Sequence, residues 1–179
     1  MMDHMIIKLP SFCLVCLVGI SGSGKTTFAR RHFQVTQILS SDHFRALIAD
    51  DESDQSVSAD AFSCLYHLAK KRLKHKRLTV IDATSVQKRA RLSLLKMAQA
   101  YQCPAIAIVL SPPLARCQKM NLTRPRRQTP PEVVAKQHRE LLESLPLLAS
   151  EGFAGIYHLQ SPREIAEVKI VRASPPQLA

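Results

Sequence analysis

The chain has 179 residues, 46% of them hydrophobic, which suits one domain with a buried core. Its five cysteines lack a disulfide-framework spacing, no apolar run is long enough to cross a membrane, and no signal-peptide cleavage site is visible. We therefore expect a cytoplasmic protein with reduced thiols. The net charge of +11 favours a polyanionic partner such as nucleic acid over a membrane, with surface solubility as the alternative explanation.

Strands and helices are predicted to alternate along the chain. An apolar run predicts a buried first strand at residues 12–18, and later strands are predicted at residues 37–39, 78–81, 105–110 and 156–159, the last of these ending the series. Helix starts are predicted from Ser58 and Ser85 as N-caps, and from capping boxes at Thr129/Glu132 and Ser161/Glu164. The alternation predicts an α/β fold, with a parallel sheet of about five strands flanked by helices on both faces.

The helix that begins at Ser58 is predicted to end in a basic segment. Six of the eight residues 70–77 are Lys or Arg. Cations interact favourably with the carboxyl end of a helix, so ordinary helix chemistry explains part of this run.

A phosphate-binding loop follows the first predicted strand. Residues 19–26, with the sequence GISGSGKT, match G-x-x-x-x-G-K-[ST] between a strand and a helix, the context that this motif requires. The loop amides are predicted to surround the phosphates of a nucleoside triphosphate, with Lys25 reaching the β- and γ-phosphates and Thr26 ligating Mg²⁺. The predicted nucleotide contacts in this segment are Gly19, Ser21, Gly22, Ser23, Gly24, Lys25, Thr26 and Thr27.

Two acidic residues follow later predicted strands. Asp42 can accept the proton of an attacking hydroxyl, and Arg45, one helical turn on, can bind an anionic group of the acceptor; an N-cap with an i,i+3 ion pair is the alternative. Asp82 occupies a position typical of an acid that holds Mg²⁺ or its waters, with turn capping as the alternative. Thr84 shares this turn and is a candidate substrate contact.

A second basic segment is a candidate lid. Residues 111–140 carry seven Lys or Arg against two Glu. We predict a helical lid at about residues 114–130, in which Arg124 and Arg127 bind the triphosphate and Arg124 neutralises charge during transfer. A solvated basic loop is the alternative.

These motifs together resemble the kinase domain of the bacterial polynucleotide kinase-phosphatase, an RNA-repair enzyme, over roughly residues 12–172. The resemblance implies transfer of the γ-phosphate of ATP or another NTP to the 5′-hydroxyl of RNA or DNA. It implies that Asp42 is the general base, that Arg45 contacts the 3′-phosphate of the terminal nucleotide, and that Lys25 and Arg124 act on the triphosphate. Where the family's lid usually begins with an arginine, this chain has Met120.

The expected organisation is an N-terminal extension (1–11), a P-loop kinase domain (12–172) and a loose tail (173–179). The longer family members continue into phosphatase and ligase domains, so the chain is expected to be either a stand-alone kinase or one domain of such a protein. A kinase for a sugar, nucleoside or antibiotic is one alternative function. A nucleotide-dependent RNA-binding module without catalysis is the other.

Overall fold

The strands of this protein form two parallel sheets in a computed structural model that describes residues 5–125 and 128–173. In chain order they are β1 (Ile6–Leu9), β2 (Leu14–Val18), β3 (Ile38–Ser40), β4 (Thr79–Asp82), β5 (Ala105–Leu110), β6 (Gly155–Leu159) and β7 (Lys169–Arg172). The central sheet has five strands in the order β3-β4-β2-β5-β6, all parallel. The predicted α/β fold with a parallel sheet of about five strands is confirmed.

Helices connect the strands and cover the central sheet. They are α1 (Lys25–His32), α2 (Ser41–Ala49), α3 (Ser58–Lys74), α4 (Lys88–Ala100), α5 (Leu114–Leu122), α6 (Pro131–Ser144) and α7 (Pro162–Glu167). Among the described residues, none of the helices combines the length and the hydropathy that a membrane span needs.

The apolar core lies on both faces of β2. Leu14, Cys16 and Val18 belong to one buried cluster, and Val15 and Leu17 belong to the other. Successive side chains of a strand point to opposite faces, so a strand covered on both sides needs an apolar residue at every position. This explains the continuous apolar run that predicted the strand.

A second, two-stranded sheet joins β1 to β7 in parallel, and the sequence analysis predicted neither strand. The prediction that the last strand is at residues 156–159 is therefore wrong, and residues 6–9 of the presumed extension are part of the fold. In β1, Ile7 and Leu9 are buried whereas Ile6 and Lys8 are exposed. Two buried residues in a four-residue strand are too few to produce a recognisable alternation.

Three predicted caps are wrong. Helix α3 has Val57 as its N-cap and α4 has Gln87, so neither Ser58 nor Ser85 caps a helix. Thr129 does not cap α6, whose N-cap is Pro130, and its hydroxyl donates to the Ser21 hydroxyl. The capping box at Ser161 and Glu164 is confirmed. In the Thr129 case a tertiary hydrogen bond replaces the local one that the pattern suggested.

A buried ion pair fixes the turn that follows β4. The guanidinium of Arg91 donates to both carboxylate oxygens of Glu151, at 2.7 and 2.6 Å. It also donates to the carbonyls of Ser85 and Val86. Both charged side chains are fully buried, at 0% exposure, and their hydrogen-bonding groups are satisfied. The pair therefore holds α4, this turn and the segment after α6 in one arrangement.

Removing one member of this pair is expected to destabilise the fold. Glu151→Gln leaves the Arg91 charge buried without its counter-charge, and we expect the free energy of unfolding to fall by about 3–5 kcal/mol. The exposed pair Arg163–Glu167 provides the control, since Glu167→Gln should cost less than about 1 kcal/mol. Urea unfolding followed by circular dichroism measures both, and equal losses would contradict the structural role of Arg91.

Candidate active site

The loop between β2 and α1 is shaped by its glycines. Gly22 and Gly24 have φ values of 80° and 94°, which side chains disfavour. A Cβ on Gly22 would also collide with the Cys117 carbonyl of α5, so the helix packs directly on the loop. Glycine is therefore required at position 22 both by the positive φ of the backbone and by the close contact with the Cys117 carbonyl.

A cavity of about 220 Å³, here called the loop cavity, lies against this loop. It brings together most of the predicted nucleotide, metal and catalytic residues: Ser21, Gly22, Gly24, Lys25, Thr26, Thr27, Asp42, Asp82, Thr84 and Arg124. Gly19 and Ser23 do not line it. Arg127 lies outside the described residues. Met120 and Thr123 of the predicted lid also line this cavity.

Lys25 folds back over the loop in this structure. Its ammonium donates to the Ile20 carbonyl at 2.8 Å, and burial lowers its pKa from 10.5 to about 8. The negative charges of Asp82 and Asp42 oppose this shift, whereas the positive charge of Arg124 adds to it. A triphosphate in the loop cavity would supply the missing negative charge and raise the pKa again.

Thr26 and Asp82 form the predicted metal position. The Thr26 hydroxyl donates to Asp82 Oδ2 at 2.8 Å, although the two residues are 56 positions apart. Burial raises the pKa of Asp82, while the Lys25 charge and the Thr26 hydrogen bond lower it. Mg²⁺ favours a few oxygen ligands together with phosphates and water, and this oxygen pair beside the loop fits such an ion.

Asp42 and Arg45 form the ion pair that the spacing allowed. Arg45 is 3% exposed, its NH2 group donates to Asp42 Oδ1, and its Nε donates to the Glu52 carbonyl at 2.9 Å. Both residues nevertheless face a cavity. The ion-pair interpretation and the functional interpretation are thus compatible, because the pair orients Asp42 at the cavity wall.

A second cavity of about 270 Å³, the helix cavity, lies between α2, α3 and α4. Phe62 and Tyr66 of α3 and Leu94 of α4 form apolar walls, and Arg45 and Gln55 are polar. The residues that line both this cavity and the loop cavity are Ser41, Asp42, Ala83 and Thr84. Asp42 therefore stands where the two cavities meet.

Sequence reasoning missed Gln137, which links α6 to the phosphate loop. Its Oε1 accepts the backbone N–H of Ser21 at 2.8 Å, and the side chain also lines the helix cavity. Since the amide oxygen is directed at Ser21, the NH₂ group points away from the loop. Thr129 adds a second link to the loop. Its hydroxyl donates to the Ser21 hydroxyl, and its backbone N–H and carbonyl are hydrogen-bonded to the Asn121 side chain. No local pattern marks a glutamine whose partner is 116 positions away.

A third, mostly apolar cavity of about 180 Å³ adjoins the loop on its other side. It shares Gly22, Gly24, Thr27 and Met120 with the loop cavity, and Arg116, Pro162 and Ile165 lie further out. Met120 is 44% exposed and lines both spaces. The position where an arginine was expected is thus occupied by an apolar side chain of the cavity wall.

Comparisons with known proteins place the chain in a family. The family model described as "AAA domain" matches residues 14–148, three quarters of the sequence. The chain belongs to this AAA domain family. None of the proteins with curated descriptions matches the sequence.

Several solved structures resemble this AAA domain. A chain of the Pnkp1/Rnl/Hen1 RNA repair complex aligns with a TM-score of 0.65 and 21% identity, over 82% of this chain and 47% of that chain. The chain thus spans about half the length of that relative. The Mycobacterium tuberculosis APS kinase CysC, in complex with AMPPNP and APS, aligns with a TM-score of 0.54 and 18% identity, over 88% and 93% of the two chains. Shikimate kinase from Acinetobacter baumannii aligns with a TM-score of 0.52 and 18% identity, over 87% of this chain and 88% of that chain.

These likenesses show the P-loop kinase fold. The three are a chain of an RNA repair complex, an APS kinase and a shikimate kinase, and the identities are too low to transfer the activity of any of them to this AAA domain.

Nucleotide binding to this AAA domain is expected to take up protons at alkaline pH. At pH 8.5 most Lys25 side chains are neutral in the free protein, because the pKa is about 8. A bound triphosphate raises that pKa, so binding should take up on the order of half a proton or more per site, and the uptake should decline toward pH 7. Calorimetric titration with Mg-ATP in two buffers of different ionisation enthalpy measures the uptake.

Lys25→Arg is the matched control, since the guanidinium keeps the charge but does not titrate in this range. Equal proton uptake by Lys25→Arg and the natural protein would assign the protons to another group.

Proposed function

We propose that this protein transfers the γ-phosphoryl group of ATP or another NTP to the 5′-hydroxyl end of RNA or DNA. The observation that carries the proposal is the position of Asp42, at the junction of a phosphate-binding cavity and a second cavity that suits an acceptor. A hydroxyl held at this junction lies between a base and a phosphoryl donor.

The donor occupies the loop cavity in this proposal. The loop amides and Lys25 bind the β- and γ-phosphates, and the nucleobase lies in the adjoining apolar cavity against Arg116 and Pro162. Thr26 and Asp82 hold Mg²⁺, which when bound neutralises negative charge on the phosphates. Arg124, which also lines the loop cavity, stabilises the charge that develops on the transferred group.

The acceptor occupies the helix cavity, which has room for about one nucleoside. The rings of Phe62 and Tyr66 have centroids 5.9 Å apart and give a base or sugar an aromatic wall. Arg45 lies beside them and provides a positive charge for the 3′-phosphate of the terminal nucleotide. Thr84, which lines both cavities, contacts the 5′-oxygen in this proposal.

Asp42 acts as the general base in the transfer step. The 5′-oxygen attacks the γ-phosphorus while its proton passes to the Asp42 carboxylate, and the bond between the γ-phosphorus and the bridging oxygen breaks. The products are a 5′-phosphorylated end and the nucleoside diphosphate. The ion pair with Arg45 orients the Asp42 carboxylate before the step.

A small-molecule kinase is the second candidate. The helix cavity is small, and the APS kinase and shikimate kinase folds resemble this one. Each of these two kinases is named for a small molecule. This candidate explains the cavity but makes no use of the net charge of +11.

The direct test is transfer of labelled γ-phosphate from ATP with Mg²⁺ to a 5′-hydroxyl oligonucleotide. The same oligonucleotide with a 5′-phosphate is the control acceptor and should stay unlabelled. A panel of sugars, nucleosides and aminoglycosides tests the second candidate in parallel. Labelling of a panel member without labelling of the 5′-hydroxyl oligonucleotide would overturn the polynucleotide proposal.

Asp42→Asn is expected to lower kcat for this transfer by about 10²–10⁴-fold, because the amide cannot accept the proton. ATP binding should persist, since the loop amides and Lys25 that bind the phosphates are unchanged. Single-turnover kinetics and nucleotide binding measured on one preparation separate these effects, and thermal unfolding shows whether loss of the Arg45 pair disturbs the fold.

Asp60→Asn, on the exposed face of α3, is the matched acid-to-amide control and should retain full kcat. A kcat for Asp42→Asn within twofold of the natural protein would exclude Asp42 as the base.

A further inference from the structure

One row of side chains on α3 leads out of the helix cavity. Ser58, Phe62 and Tyr66 line the cavity, and the next two positions at the same spacing of four are Lys70 and Lys74. Residues four apart form a continuous ridge on a helix surface. This ridge, here called the α3 ridge, starts in the proposed acceptor cavity and ends in two exposed lysines.

The end of the α3 ridge is part of the basic segment 70–77. Two of its six cations have protein partners, because Arg72 donates to the Leu78 carbonyl and Lys76 lies over the Phe12 ring at 5.2 Å. The other four are exposed: Lys70, Lys71, Lys74 and Arg77. Within residues 5–125 and 128–173, no acidic side chain forms an ion pair with any of these four.

Favourable interaction with the helix end does not account for the whole cluster. That interaction is confined to the last turn, whereas Arg77 lies beyond the end of α3 at Lys74. The cations also repel one another: after burial, the charge of Arg77 is the next cause of the lowered pKa of Arg72. An anionic partner would relieve this repulsion.

The distance along the ridge suits a nucleic-acid strand. From Phe62 to Lys74 the helix rises about 18 Å, which is the span of about five phosphates at the 3.4 Å spacing of a stacked strand. A membrane-binding helix instead needs large apolar side chains beside its cations. Leu73, the apolar residue inside this cluster, is buried at 1% exposure.

We propose that Lys70, Lys71, Lys74 and Arg77 bind the backbone phosphates of a single strand, about four to six nucleotides from the 5′ end held in the helix cavity. The inference rests on the proposed function and deepens it, because it makes the acceptor a strand rather than a mononucleotide. The contacts are to phosphate and carry no sequence preference.

The experiment compares 5′-hydroxyl oligonucleotides of 3 and 15 nucleotides, in binding by fluorescence anisotropy and in phosphorylation. The natural protein should bind the 15-mer on the order of tenfold more tightly than the trimer. The triple variant Lys70→Ala/Lys71→Ala/Lys74→Ala should lose this advantage and phosphorylate the trimer with unchanged kcat and KM. Its slope of log affinity against log salt concentration for the 15-mer should become shallower by about 2, at roughly 0.7 per phosphate contact.

Lys8→Ala/Arg30→Ala/Lys169→Ala removes the same charge from exposed residues outside α3 and should keep the length dependence. Unchanged binding of the 15-mer by the α3 variant would overturn the inference, and so would binding to phosphatidylserine vesicles without binding to the 15-mer. Absence of phosphoryl transfer by the natural protein to either oligonucleotide counts instead against the proposed function, because the anisotropy measurement does not depend on transfer.

Discussion

The carboxyl ends of β2, β3 and β4 meet at one edge of the central sheet, and the positions of the phosphate loop, Asp42 and Asp82 follow from this convergence. The register pairs Ser40 of β3 with Asp82 of β4, so the first turn of α2, which contains Asp42, follows directly from a residue paired with Asp82. The Gly19 N–H donates to the Thr84 carbonyl at 3.1 Å, which continues the pairing of β2 with β4 into the loops. Parallel pairing therefore brings the phosphate loop, the proposed metal ligand Asp82 and the proposed base Asp42 together at this edge.

Electrostatic balance at this edge depends on a ligand. Lys25 is buried among two carboxylates and Arg124, and its lowered pKa shows that the surrounding charges do not fully compensate for its burial. The negative charge of Asp42, in contrast, is balanced within the protein by Arg45, which lies one turn further along α2. The loop is thus arranged to gain negative charge from a triphosphate, whereas the proposed base, Asp42, is already oriented by Arg45 in the free protein.

The elements that follow from short-range patterns were predictable from the sequence. The glycine spacing in residues 19–26, the apolar run of β2 and the acids at the ends of β3 and β4 each express one local requirement. The position of Gln137 could not be predicted in this way, because its role is set by an N–H group in a different part of the chain. The same holds for Thr129, whose pattern suggested a cap but whose hydroxyl contacts Ser21. Strands β1 and β7 were missed because each is short and their pairing joins the two ends of the chain.

The central claim is that donor and acceptor bind in two cavities that meet at Asp42. The affinity of a bisubstrate compound, adenosine joined through four phosphates to the 5′-oxygen of a short oligonucleotide, tests this claim most directly. Because the second half then binds intramolecularly, the compound should bind at least about tenfold more tightly than ATP, and a shorter phosphate linker should remove the gain. An affinity equal to that of ATP, whatever the linker length, would contradict the claim that the two sites adjoin.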